Sequence, residues 1–433
     1  MDSAELQQSR RRALGRLGAL VGALSSPLAG GATPGDEPSV DDSNPWGRAR
    51  AQLVLNSRLA YFDTAQLGPM LRSVLANEYR TQEALQTDPF SFYRDRYSNA
   101  AVQELCRRLS TWLDCSVDEL CFSRSAARGL MQCSQALSLQ AGDEVLINGQ
   151  LSLELRRFWT QEARQRGLVL KTIALPMPLH GVDEVMSAFE NAIDERSKVL
   201  VCSHIQQTDG AVLPIRELCQ LAKSRGLISM VDGSLSMGAL QLSMRDLGCD
   251  IYSASLCHWL NGPQNTGVLY VRAGMQSMLQ DDGLSGTELT LAGNRFGWPQ
   301  LQQRWPTDFI ELAPQFQSLS TALSWQESIG RSRIEARLRE LQTYTRLRLQ
   351  NLDGIEPITP LPPGLWLQLL SLRTPKHSAI ELAEWLRNND KVVVSAVAVD
   401  SEGVNGLRVS LHIYNSFDDI ERLALGLQRA LRV

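Results

Sequence analysis

Asp232 stands directly after the apolar run 228–231 (ISMV) and just before Gly233. Ser255, Cys257 and His258 follow a second such run, 251–254 (IYSA), and the stretch from Gly262 to Gly267 turns the chain into a third, 267–271. Where short apolar runs read as parallel strands, side chains that bind ligands collect just past the carboxyl ends of those strands. A carboxylate in that position pairs with a cation or a protonated ring, and a hydroxyl meets an anion. An imidazole, with a pKa near 6.5, exchanges a proton at neutral pH. Upstream, Ser123-Arg124-Ser125-Ala126-Ala127 opens a helical pattern whose first backbone amides suit a phosphate. Arg408, in the strand-like segment LRVSLH (407–412), offers a rigid two-pronged donor of the kind that holds a carboxylate. Cys257 beside His258 has the composition of a nucleophile and its base, but adjacent residues on a chain rarely face each other. For any one of these groups the plain alternative is a buried, satisfied structural residue.

The elements that must position them follow from periodicity. Strands are expected over 144–147, 169–175, 199–204, 228–231, 251–254 and 267–271. Between them, Ile215, Leu218, Leu221 and Ala222 share one helical face that stops at Gly226. A long amphipathic stretch over 319–352 precedes strand-like 365–372, 392–397 and 407–412, and a last amphipathic helix covers 417–431. The expected fold is a central, mostly parallel α/β sheet flanked by helices (47–310), with a smaller C-terminal α+β domain (311–433). No internal repeat or low-complexity tract interrupts it.

The chain has 433 residues and a net charge of −4, long enough for a sizeable core and too balanced for a general nucleic-acid or anionic-membrane surface. Its eight cysteines show neither metal-ligand spacing nor the density of a disulfide framework, and Cys202, Cys219 and Cys249 sit in apolar patterns as small buried groups. Residues 9–15 (SRRRALG), a short Gly/Ala/Leu-rich run and a small-residue exit describe a secretory signal over 1–32, followed by a polar linker over 33–46. The paired arginines resemble a bacterial twin-arginine signal, which exports folded proteins, so the periplasm is the expected location and the cytoplasm the alternative. The apolar run is too short to span a bilayer, and no membrane span is expected once the signal is removed.

These segments together carry a family resemblance. Residues 203–271 (SHIQQTDGAVLPIRELCQLAKSRGLISMVDG through SASLCHWLNGPQNTGVLYV) are similar to the core of class V aminotransferases, which include cysteine desulfurases and isopenicillin N epimerase-like proteins. AYFDTAQLGP (60–69), PTD (306–308) and LRVSLHIYNSFDDIERL (407–423) extend the likeness over nearly all of the chain past the linker. It implies the fold-type-I pyridoxal-phosphate transferase architecture, like that of aspartate aminotransferase, and a homodimer. Among family members, twin-arginine export brings to mind those that mature siderophores such as pyoverdine. By the same resemblance Asp232 is the partner of the cofactor's pyridine nitrogen. Ser125, Ala126 and Ser255 lie at the phosphate, Thr307 reaches the phosphate across the dimer interface, and Arg408 holds a substrate carboxylate.

The family pattern S-x-H-K-W, however, reads Ser255-Leu256-Cys257-His258-Trp259 here, so His258 stands where the aldimine-forming lysine belongs. Only five of the 43 basic residues are lysines, and none lies between Lys223 and Lys376. Leu235 replaces the family's ring-hydroxyl contact, no aromatic stacker appears near Ser152, and Ala126 and Ala127 replace hydroxyls of the phosphate loop. Two readings follow. In one, the chain is a pseudoenzyme or a homodimeric binder of a small carboxylate ligand, and ordinary lysine-dependent transamination, epimerisation or desulfuration is absent. In the other, pyridoxal or pyridoxamine phosphate is held without a covalent link and His258 is the general base, acting on an amino-acid-like or siderophore-precursor substrate. Some sugar dehydratases of this fold class carry His at that position and use the amine form of the cofactor. A protein holding neither form has no cofactor at all.

Overall fold

In the computed structural model, residues 45–92, 99–279, 309–400 and 403–432 are described. The expected signal, the linker up to residue 44, and Thr307 lie outside them. Seven strands form the central sheet: β2 (Leu120–Ser123), β3 (Glu144–Asn148), β4 (Val169–Ile173), β5 (Ser197–Ser203), β6 (Ile228–Asp232), β7 (Ile251–Ser255) and β8 (Gly267–Val271), in the order β2-β8-β7-β6-β5-β3-β4. Neighbouring strands from β4 through β3, β5 and β6 to β7 run parallel, and β8 is antiparallel to both of its neighbours. Consecutive residues of β5 face opposite cores. Val199 and Val201 pack with the helices Ala126–Ala136 and Leu153–Arg166, whereas Leu200 and Cys202 pack with Val185–Ala188 and with the helix Ile215–Ser224. Both faces are covered, which is why these strands read as continuous apolar runs instead of alternating ones. All eight cysteines are free thiols, and burial pushes that of Cys219 up to about 12.

The smaller C-terminal layer is a four-stranded antiparallel sheet, ordered β12 (Ser395–Asp400), β13 (Gly403–Ser410), β10 (Leu369–Arg373) and β9 (Glu356–Pro357). Its core gathers Leu341, Leu382, Leu423 and Leu427 from three helices, together with Ala60 and Phe62 from far upstream. Those upstream residues arrive through β1 (Ala60–Tyr61), which pairs in parallel with β11 (Val392–Val393).

Three expectations are corrected. The stretch 392–397 is two strands, because its first part pairs with β1 and its second joins the four-stranded sheet. The strand expected from 365 begins at Leu369, since the Leu365 carbonyl instead accepts the Val212 amide at 2.9 Å. The long helical stretch is the two helices Phe309–Ile329 and Arg331–Leu349, parted at Gly330, whose φ of 92° lies in the left-handed region that breaks a right-handed helix. The short strand β2 was not anticipated.

Candidate functional site at the carboxyl edge

Because β5, β6 and β7 are parallel and in register, with Ser203 beside Asp232 and Asp232 beside Ser253, their carboxyl ends form one edge. β2 ends at that edge too, since Ser123 and Ser255 both pair with Gly267 of the intervening β8. The chain then turns straight into the helix Ala126–Ala136. Ser255 Oγ accepts the Ala126 amide at 3.0 Å, which joins the two phosphate-site candidates. Ser125 turns inward on its own helix, its Oγ accepting the Arg128 amide at 3.2 Å as the N-cap. Ser125 is thus a capping residue, and it is the adjoining Ala126 amide, not the Ser125 hydroxyl, that reaches Ser255.

Asp232 is buried, and its Oδ1 accepts both the amide (2.9 Å) and the hydroxyl (2.6 Å) of Ser234. Burial raises its pKa, and the Ser234 hydrogen bonds oppose that rise. Gly233 has no room for a side chain, since a Cβ there would lie 2.1 Å from the Tyr252 ring. Leu235 packs with Ala65, Ile205 and Trp259 and offers nothing polar.

His258 lies beyond the end of β7, only partly open to solvent. Its Nδ1 is 3.2 Å from the Thr64 carbonyl. A carbonyl can only accept, so Nδ1 carries the proton and Nε2 is left with the lone pair. Burial first, and then the positive charge of Arg408, hold the imidazole below its usual pKa, against the Thr64 bond. His258 is therefore neutral at pH 7. Cys257 is no partner to it, because burial raises the thiol.

Arg408 is 2% exposed. Its Nη1 donates to the Gln207 carbonyl at 3.2 Å and its Nη2 to Ser395 Oγ at 3.1 Å, with Asp63 Oδ1 at 3.6 Å, and its Nε has no partner. Ser395 also donates to Asp63. Burial raises the pKa of Asp63, while Ser395 and Arg408 pull it down. Asp63, Thr64, Gln207 and Ser395 were not singled out from the sequence. Asp63 and Thr64 lie inside the AYFDTAQLGP motif, which was the available signal.

Behind this edge His204 is buried, with Nδ1 3.0 Å from the Tyr252 hydroxyl, and burial holds its pKa down to about 4. An unfolded chain takes up that proton near pH 6.5. Stability contributed by the neutral ring is thus complete above pH 6.5 and falls away by about 3 kcal/mol as the pH drops toward 4. Urea unfolding at pH 7 and pH 4 should show His204→Gln losing about 3 kcal/mol less than the parent over that interval. Parallel profiles would show that the ring is not held neutral.

The carboxyl edge of the α/β sheet thus gathers a helix start and a buried Asp, with a buried Arg on the C-terminal layer. Residues 62–423 match the aminotransferase class-V family, and the chain belongs to that family. It is 30% identical to isopenicillin N epimerase of Amycolatopsis lactamdurans over 396 residues, 88% of this chain and 98% of that protein. It is 26% identical to a probable cysteine desulfurase of Pseudomonas aeruginosa, covering 87% and 94% of the two chains. Among solved structures, a C-DES mutant with glycine covalently linked to the PLP cofactor superimposes with a TM-score of 0.77 at 17% identity, covering 88% of this chain and 98% of that one. The cysteine desulfurase CsdA from Escherichia coli gives 0.75 at 20%, covering 90% and 99%. The fold is therefore that of the PLP-dependent cysteine desulfurases, with its smaller C-terminal domain.

Proposed function

We propose that the chain is a class V aminotransferase-fold protein that binds a small carboxylate at Arg408 and attaches no cofactor through lysine. The observation that carries this is a buried guanidinium with an unpartnered Nε, its charge met among the described residues only by Asp63 at 3.6 Å. A ligand carboxylate supplies the second acceptor that such a donor is built for. The lysines agree. Lys171 is tied to Glu144, the first residue of β3, and to Asp194 at 2.6 Å. Lys198 is the second residue of β5 and Lys223 lies in the last turn of the helix before β6, both at the opposite edge of the sheet. Lys376 and Lys391 are exposed in the C-terminal layer. A homodimer, expected for the family, would bring only the same five.

The edge fits a pyridoxal-phosphate-type group at two of its ends. Ser255 and the start of the helix Ala126–Ala136 would hold the phosphate, the Ala126 amide giving up its bond to Ser255 Oγ for the anion, and the buried Asp232 would hold the ring nitrogen. Bound there, such a group supplies an electron-withdrawing ring. This fit supports the second reading, an enzyme that holds the group without a covalent link. In it, Nε2 of the neutral His258 is the base and Arg408 orients the substrate. Export by the twin-arginine route remains our proposal for its location.

Calorimetric titration with short-chain carboxylates tests the first reading. The parent should bind at least one of them, and Arg408→Lys, which keeps the charge and loses the fork, should bind it about tenfold or more weakly. Equal affinity in a folded Arg408→Lys protein would remove Arg408 from the site. Pyridoxamine phosphate released from the denatured parent, measured by mass spectrometry, would favour the second reading over the first.

A further inference from the structure

The turn that follows β5 carries polar side chains that neither reading uses. Its Gly210 amide donates to the Gln206 carbonyl at 3.1 Å, and Asp209 Oδ1 accepts the Ala211 amide at 3.0 Å. Gln206 and Asp209 are 0% exposed, as is Asn148 at the end of β3. β3 and β5 are parallel neighbours with Ile147 beside Val201, so Asn148 and this turn crown adjacent strands, and the Gln150 side chain lies against the Asp209 carboxyl. Four sealed oxygens there have no hydrogen-bond partner (Asn148 Oδ1, Gln150 Oε1, Gln206 Oε1 and Asp209 Oδ2), against two such nitrogens (Asn148 Nδ2 and Gln206 Nε2). One buried polar group left unmatched costs about 1–3 kcal/mol, so a cluster of them marks a place shaped for a polar guest. Acceptors outnumber donors, and among the described residues no cationic side chain acts on Asp209. The group that matches this set of acceptors is a donor with positive charge.

We propose that Asn148, Gln150, Gln206 and Asp209 form a pocket for a protonated amine at the far end of the bound ligand. The inference rests on the Arg408 reading for the ligand's other end. Arg408 Nη1 bonds the Gln207 carbonyl at 3.2 Å, so one turn carries both subsites. The ligand class is a carboxylate with a distal ammonium group, its two charges met by Arg408 and by Asp209.

The test is calorimetric titration of the full chain with butanoate, pentanoate and hexanoate, and with the same acids carrying an amine at the chain end. At least one amino acid should bind about tenfold tighter than its plain counterpart, and Asp209→Asn should erase that margin. Gln206→Leu is a second variant should Asp209→Asn fail to fold, and it should erase the margin too. Plain acids that bind with no margin at any length would overturn the pocket and leave the Arg408 reading intact. If no acid binds, the Arg408 reading falls and alkylammonium ions decide the rest. Binding that Asp209→Asn abolishes supports the pocket, and no binding overturns it.

Discussion

His258→Lys protein mixed with pyridoxal phosphate should turn yellow, and borohydride should bleach the colour and leave the reduced cofactor bonded to the peptide that contains residue 258. The unsubstituted protein should show neither. Position 258 lies three residues beyond Ser255, which holds the start of the helix Ala126–Ala136. A lysine there would extend over the same edge that Asp232 ends, and its chain is longer than the imidazole it replaces. Burial and Arg408, which already depress the His258 pKa, would act on an ammonium in the same direction and leave more of it as the reactive neutral amine. The expected effect is all or none, read by absorbance and by peptide mass. A folded variant that stays colourless, or an adduct mapped to Lys171 or Lys198, would mean that residue 258 is not the attachment position of this fold.

Gly68→Ala should destabilise the protein by about 3 kcal/mol in urea unfolding, at the upper end of what overpacking produces. A Cβ on Gly68 would lie 2.2 Å from the Cys257 carbonyl oxygen and 2.3 Å from that of His258. Both obstacles are backbone, so no rotamer change relieves them. The segment from Asp63 to Gly68 would have to lift from the end of β7, and the Thr64–His258 contact would go with it. Gly181→Ala is the control: its nearest atom would be 4.0 Å away and its φ of −172° suits any residue, so a change within about 0.5 kcal/mol is expected. Equal stability of the two variants would contradict the close approach of this segment to the site.

All strands of the central sheet except β2 were legible to within a residue or two because burial leaves unbroken apolar runs, as in VLVC of β5. Asp232 and Ser255 could be placed at a strand end for the same reason. The division of 392–397 between two sheets could not be read, since Val392–Val393 and Ser395–Asp400 are both β-branched or small and differ only in their partners. Nor could the break at Gly330, where one glycine outweighs a continuous helical period. The Asp63–Ser395–Arg408 contact depends on residues brought together only by folding, and neither Asp63 nor Ser395 sits at a strand end of the central sheet. The polar cluster beside Asp209 is a matter of burial, and a sequence of ordinary Asn, Gln and Asp residues does not record burial.

The segment around Thr64 also sets an order on biosynthesis. Thr64 bonds to the Tyr414 hydroxyl at 2.7 Å across 350 positions, and Asp63 waits for Ser395 across 332. The central sheet leaves the ribosome complete by Val271, long before either partner is made. The segment that covers the end of β7 therefore cannot reach its native contacts until synthesis has passed Tyr414, which makes its closure over the edge a late event of folding.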